Sequence, residues 1–355
     1  MRARRVLWVS TSTETRGGVA TFVRTMQQTP MWDRWQVRHV ATHRNGSLAA
    51  RAAAFAVGVG SFLRELVLRR PGIVHLHTAS YGSFARKSTL AWICRAAGVP
   101  VVLHVHGGAF GDFYARSPHL LQRYIRRTLS SAARVIGLGD RWAEVLQEIA
   151  PDARVAVVPN AVSPRALVGQ PGPGEPVHLL FVGEMTEDKG AFALLEAWRR
   201  LQDGPQLPPA DLVMVGPGAV ERAQRTAEDL GSVGQVRVLG WVAPVEVERL
   251  LSRSHVLVLP SRFEGQPMAV LEAMAHGLCV VATEVGGIPD LVDERCAVLV
   301  PVDDEDALVT ALSTVIADPQ KRAQLGARAL ARVRERFDVN LTWRTLDALY
   351  EELVK

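Results

Sequence analysis

The chain has 355 residues, 48% hydrophobic and 22% charged, the balance of an ordinary globular protein with room for two domains. No run approaches the roughly 18 apolar residues needed to span a bilayer, and the basic start "MRARRVLWVSTSTE" holds too few apolar residues for a secretory leader. Three cysteines (Cys94, Cys279, Cys296), odd in number and without metal-ligand spacing, predict reduced thiols in the cytosol and no metal site.

The net charge of +5 divides unevenly along the chain. Up to Arg165 there are 23 basic and 8 acidic residues, a net of +15; the remainder carries 18 basic and 28 acidic, a net of −10. The first half is therefore drawn to something anionic. Nucleic acid, an anionic membrane face and a phosphate-bearing substrate all fit the charge, as do plain solvated helix faces.

In chain order, "RRVLWVST" predicts a strand, followed by the loop "STETRGG" and a helix from about Val19. Arg16-Gly17-Gly18 is a glycine turn able to approach a phosphate or an acceptor. The runs "QVRHVA", "GIVHLHT", "VPVVLHVHG", "ARVIGL" and "RVAVVP" continue the strands, with helical patterns over 48–70, 83–97, 118–133 and 141–150. His75 and His77 read as structural. His104 and His106, two apart on one strand, point to the same side. His106, at the carboxyl end before Gly107-Gly108, is placed to reach a ligand, whereas His104 reads as a core histidine. The next segment, "FGDFYARSPHLLQRYIRRTL", sets Phe110, Phe113 and Tyr114 beside Arg116, Arg123, Arg126 and Arg127. That suits either an anionic bilayer surface or an exposed helix of the fold.

The Pro/Gly-rich stretch "NAVSPRALVGQPGPGEP", 160–176, reads as a linker. The alternation restarts with "VHLLFVG", "ADLVMVG", "QVRVLG", "HVLVLP" and "LCVVAT", separated by helices over 189–201, 219–230, 244–252 and 267–276; two or three helices fill 304–354. The fold class is α/β, two doubly wound Rossmann-like domains in tandem, with ligand expected between them at the carboxyl ends of the strands.

Several loops converge on that edge of the second sheet. "FVGEMTEDKG" puts Lys189 at the mouth of a helix, a diphosphate partner or a surface lysine. "VGPGAVE", with Gly216, can admit a flat base, and "VLGWV" brings Trp241 to line a base pocket or to pack; "ATEVGGIPDLV" adds a glycine pair. In "SRFEGQPMAVLEAMAHG", Pro267 suits the first helical position. The amides around Gln266–Ala269, Met268 included, and the helix dipole form an anion site, and Gly265 admits close approach. Glu272 lies about 7–8 Å further along the axis, where a carboxylate can accept both hydroxyls of a ribose. Glu264 in the loop is placed for hydroxyls beyond the phosphates. The bland alternative makes Glu272 a solvated helix residue and Glu264 a cap.

"PSRFEGQPMAVLEAMAHGLCVVATEVGGIPDLV" resembles the signature of the retaining family 4 glycosyltransferases of the GT-B fold, whose E-x7-E motif is met by Glu264 and Glu272. "RGGVATFV", "HVHGG", "VVPNAV" and "FVGEMTEDKG" are similar to further motifs of that family, so the resemblance covers nearly the whole chain. It implies two domains facing across a cleft: an acceptor domain, 1–165, with the terminal helix 338–355 packing back on it, and a nucleotide-sugar domain, 166–337. It implies that Glu264 contacts the donor sugar, with the amides of 266–269 on sugar hydroxyls and phosphate. Glu272 would bind the ribose, Lys189 the diphosphate, and Gly17 and Gly18 would lie beside the phosphates. His106 would sit next to the anomeric centre, and closure would bring it to Glu264.

The resemblance further implies transfer with retention, without metal or other cofactor, from a nucleotide-diphosphate sugar to an acceptor hydroxyl. The basic first half favours a lipid-linked or membrane-proximal saccharide acceptor in exopolysaccharide or glycolipid assembly, on the cytoplasmic side and peripheral to the inner face of the membrane, with no nucleic acid. Two positions depart from the pattern. Glu184 stands where the family usually has an arginine paired with the lysine, which puts that contact in doubt and leaves Arg262 or Arg16 as candidates for the charge; Cys279 stands where proline is usual. Glu184 keeps open a nucleotide-sugar-binding protein without transfer, and a transferase acting on a soluble acceptor is a further alternative. A dehydrogenase is disfavoured, because neither domain's first strand is followed by G-x-G-x-x-G.

Overall fold

Near-continuous Val/Ile/Leu runs become strands that are buried on both faces, as parallel sheets require. The computed structural model describes residues 4–15, 17–203, 206–231 and 235–355. It divides into two units, one running to Ala161 and resuming at Val339–Lys355, the other spanning Val162–Asp338.

The first unit holds β1 (Val6–Ser10), β2 (Arg38–Ala41), β3 (Ile73–Thr78), β4 (Val101–Val105), β5 (Arg134–Gly137) and β6 (Val155–Val157), in the order β2-β1-β3-β4-β5-β6. All paired strands are parallel, and β1, β3 and β4 are buried throughout. The strand order reverses direction between β1 and β3, so the crevice outside their carboxyl ends is the place where such a sheet takes a ligand. The helix Leu48–Arg64 lies close on β2, because a Cβ on Gly58 would overlap the Ala41 carbonyl oxygen. Helix Val339–Val354 returns to this unit: Trp35 Nε1 donates to Asp347 at 2.7 Å, Trp8 Nε1 to the Tyr350 hydroxyl at 2.9 Å, and Arg34 pairs with Glu351 at 2.8 Å.

The second unit holds β7 (Val177–Val182), β8 (Ala210–Val215), β9 (Val236–Leu239), β10 (Val256–Leu259), β11 (Cys279–Thr283) and β12 (Ala297–Val300), in the order β12-β11-β10-β7-β8-β9. This is the dinucleotide-type winding, with its reversal between β7 and β10.

Three expectations need correction. The supposed linker 160–176 is tied down from Val162 onward: Val162 N–H donates to Phe337 at 3.0 Å, Arg165 N–H to Ala275 at 2.9 Å, and Val168 N–H to His276 at 3.0 Å. Its prolines and glycines shape an irregular segment whose backbone still needs partners. Strand β12 was not expected, since four residues of "AVLV" behind a polar turn give too short a pattern. The aromatic end of the supposed membrane segment faces inward. Phe110 and Phe113 are buried in a helix, Phe110–Ala115, leaving exposed arginines and Leu120 on the helix that follows. The exposed apolar residues gather instead on 48–69, where Leu48, Val57, Val67 and Leu68 stand beside Arg51, Arg64 and Arg69. Among the described residues no helix is long and apolar enough to cross a membrane. All three cysteines are buried and unpaired.

Candidate active site

The loops after β7 and β10 are stitched together at the reversal of the second sheet. Arg262 N–H donates to the Asp188 carbonyl at 2.8 Å. Gly190, at φ 69°, sits so near Pro260 that a Cβ would overlap the proline's carbonyl oxygen. This brings Lys189 Nζ to 2.6 Å from Glu264 Oε1, an oxygen that also accepts from Ser261 Oγ at 2.8 Å. Glu264 is 9% exposed, while Lys189 keeps part of its surface. The Glu264 backbone is held by a third loop, since a Cβ on Gly286 (φ 53°) would overlap its carbonyl oxygen. A carboxylate and an ammonium thus meet at the crevice, each able to exchange its partner for part of a ligand. Ser261 and Gly286 complete the arrangement and carried no stronger signal in the sequence than a serine beside the motif and one half of a glycine pair.

The helix after Glu264 runs Met268–Ala275, so Pro267 is its N-cap, not its first helical residue. The open amides are those of Met268, Ala269 and Val270, which point out of the amino end. Gln266 and Met268 are buried, Gly265 and Ala269 half-buried, and Glu272 half-buried one turn on from Met268. After β8, Gly216 (φ 148°) passes against Gly183, where a Cβ would overlap a carbonyl oxygen, and Trp241 beyond β9 is half exposed. Arg262 is turned outward and pairs with Asp303 at 2.7 Å. An exposed pair of this kind holds its partner weakly. Glu184 is exposed at the mouth of the same crevice. Arg16, the other replacement cation, lies outside the described residues.

In the first unit, Gly17 caps helix Gly18–Gln27 at φ 119°, and a Cβ there would meet nothing within 4 Å. Gly17 and Gly18 are both exposed there, beyond the carboxyl end of β1. His106 stands at the end of β4, its Nε2 at 2.9 Å from His77 Nδ1. Burial pushes the His106 imidazole down to about 3, so it is neutral at ordinary pH. Beneath it, Trp8 N–H donates to the Tyr350 hydroxyl, which donates in turn to His75 Nδ1. That assignment leaves His75 Nε2 as the donor to His104 Nδ1, 3.2 Å away. His75, His77 and His104 also bring ring nitrogens within 4.8 Å of one another, the one group with metal-like spacing among the described residues. Two of those nitrogens are already committed to each other.

Desolvation lowers His75, His77 and His104 well below the usual range, and takes His39 and His255 to about 4. A histidine neutral in the fold but protonated near 6.5 when unfolded stabilises the native state fully above that pH. It gives up about 1.4 kcal/mol per pH unit as the pH falls below it. The urea midpoint is therefore expected to drop steeply from pH 6.5 to 5, and a midpoint flat across that window would show that these rings are protonated in the native protein.

The comparisons with known proteins come from both units. The family described as "Glycosyltransferase Family 4" matches residues 13–166, and that described as "Glycosyl transferases group 1" matches residues 176–318. The chain is 27% identical to the Escherichia coli UDP-Gal:alpha-D-GlcNAc-diphosphoundecaprenol alpha-1,3-galactosyltransferase, over 73% of this chain and 70% of that one. Among solved structures, the sucrose-phosphate synthase of Thermosynechococcus elongatus superposes with a TM-score of 0.82 at 18% identity, covering 98% of this chain and 99% of that one. The Anabaena protein HepE, solved in complex with UDP-glucose, gives 0.76 at 17% identity, covering 98% and 99%. Likeness at such identities carries the fold alone, and the two family matches carry the rest. The chain belongs to the family 4, group 1 glycosyltransferases, and its two parallel-sheet units carry the GT-B fold.

Proposed function

We propose that the protein transfers a sugar, with retention of anomeric configuration, from a nucleotide-diphosphate sugar to a hydroxyl of a lipid-linked or membrane-proximal saccharide. The observation that carries this reading is the Lys189–Glu264–Ser261 contact at the β7/β10 reversal, beside the open amino end of Met268–Ala275. The diphosphate takes over Lys189 and the helix amides as its charge builds on departure, which is where pre-placed donors contribute most to rate. Glu264, released from the lysine, accepts hydroxyls of the donor sugar, and Glu272 those of the ribose. Gly216 and Trp241 are assigned to the base, Gly265 to close approach. Gly17 and Gly18 in the first unit are assigned to the phosphates, and His106 serves as a neutral hydrogen-bonding group. No covalent nucleophile is assigned; the leaving phosphate itself helps to deprotonate the acceptor.

Support for the acceptor class comes from charge and from likeness. The first half carries the +15 excess. The apolar and arginine side chains exposed on 48–69 suit a peripheral contact with anionic lipid. The Escherichia coli relative is named for a diphosphoundecaprenol-linked acceptor.

The test is incubation with UDP-, GDP-, ADP- and dTDP-sugars, with and without a lipid-diphosphate saccharide, reading nucleoside diphosphate release and the product's anomeric proton coupling. Release that depends on acceptor, with the donor's anomeric configuration kept, is the expected result. Donor binding that raises the melting temperature without any release would leave a binding protein in its place. No response to any donor would end the reading.

A further inference from the structure

Lys87 is 2% exposed in helix Gly82–Ala96, and its ammonium is hydrogen-bonded to the Thr42 hydroxyl just past β2. Buried lysines usually have an anionic partner. Here none is found among the described residues, and the strongest charged neighbour of Lys87 is another cation, Arg86. Arg86 and His43 adjoin the hydrogen-bonded Lys87 and Thr42 in the chain, and Arg51 lies on the helix that Gly58 packs against Ala41 and Thr42. After burial, the larger cause, Arg51 lowers Arg86, and Arg86, Arg51 and Lys87 lower His43. The Arg86 Nε–H is buried without a partner. Neither arginine makes an ion pair among the described residues, whereas Arg34, Arg64, Arg69 and Arg134 of the same unit all do. The ends of β1 and β2 are tied together: Thr42 Oγ1 donates to the Ser10 carbonyl at 3.2 Å, and Ser10 Oγ lies 2.7 Å from His39 Nε2. The glycine-permitted contact of helix Leu48–Arg64 with Ala41 and Thr42 fixes the element that bears Arg51.

We propose that Arg51, Arg86 and His43, over the buried ammonium of Lys87, form an oxyanion subsite for a phosphate or diphosphate group on the acceptor. The arginine forks supply directional donors, and Lys87 supplies field from below. The place suits a ligand site, because Ser10 ends β1 while Thr42 and helix Gly82–Ala96 follow β2 and β3 at the carboxyl edge, next to the β1/β3 reversal. Burial first, and then the neighbouring cation, holds Lys87 down to about 7 and His39 to about 4, and a bound anion offsets the second of these effects. The inference rests on the reading of the first unit as the acceptor domain.

The chain has four lysines, Lys87, Lys189, Lys321 and Lys355, so full-length protein labelled with 13C at lysine Cε gives one signal for each. It is titrated with inorganic pyrophosphate and, separately, with farnesyl diphosphate. The Lys87 midpoint is expected to rise from about 7 towards the ordinary lysine range with either anion. Lys87→Met, which keeps the volume, should weaken their binding about tenfold or more. Equal affinities assign the site to the anion alone, and tighter binding of farnesyl diphosphate assigns it to a lipid-linked diphosphate. A Lys87 midpoint unmoved by both anions at millimolar concentration overturns the proposal. The Lys189 signal is the separate control: if it ignores every nucleotide sugar, the donor reading fails whatever Lys87 does.

Discussion

Lys189→Ala is expected to reduce donor turnover by about a hundredfold to a thousandfold, the usual loss for one pre-placed charge at a departing anion. It should also lower stability. Removing the ammonium strands a carboxylate that is 9% exposed and keeps, among the described residues, the Ser261 hydroxyl at its Oε1. Breaking a buried pair from one side costs up to about 3–5 kcal/mol, and the partial exposure of Lys189 places this case towards the lower end. Glu264→Gln keeps the volume and can still accept from Ser261, so it should fold nearly as well as wild type while losing comparable activity. The double variant separates the two roles. It should recover the melting temperature that Lys189→Ala lost and recover none of the turnover. Near-wild-type turnover in either single variant would remove these residues from the active site.

Gly286→Ala is the second large effect, and it acts on backbone. At φ 53° alanine carries a left-handed penalty of about 1–2 kcal/mol. The added Cβ would also overlap the Glu264 carbonyl oxygen, which no rotamer change can clear. The loop bearing Glu264 must therefore move, and a displacement near 1 Å at a reacting centre can cost about a hundredfold in rate. Gly98→Ala is the matched control, at φ 68° with open space around it and outside the proposed site, so it should show the conformational penalty alone. If Gly286→Ala matched wild type in both kcat/KM and urea midpoint, the proposed support of Glu264 by this loop would be wrong.

The sheets were legible because their strands are buried on both faces, and burial on both faces leaves unbroken apolar runs. "VHLLFVG" and "HVLVLP" announce the two strands that flank the reversal of the second sheet. The sequence could not announce that Lys189 and Glu264 touch. That contact comes from the backbone stitch between Arg262 and Asp188 and from the tight passage of Gly190 by Pro260, both products of tertiary folding. The aromatic segment misled for a related reason: Phe110 and Phe113 belong to a short helix whose apolar face is turned inward, and composition does not record which way a face turns. Lys87 left no trace at all, because a lysine inside an otherwise ordinary helix reads as solvated until its neighbours are known.

The route of the chain has a consequence for biosynthesis. The second unit is drawn from one uninterrupted stretch, Val162–Asp338, whereas the first needs Val339–Lys355 to cover Trp8 and Trp35 and to seat Tyr350 against His75. Domains fold as units during synthesis, usually the amino-terminal one first, but here the amino-terminal unit lacks one of its own segments until the second unit has been made. Until helix Val339–Val354 has been made, Trp8, Trp35 and His75 lack the hydrogen-bond partners, Tyr350 and Asp347, that it brings.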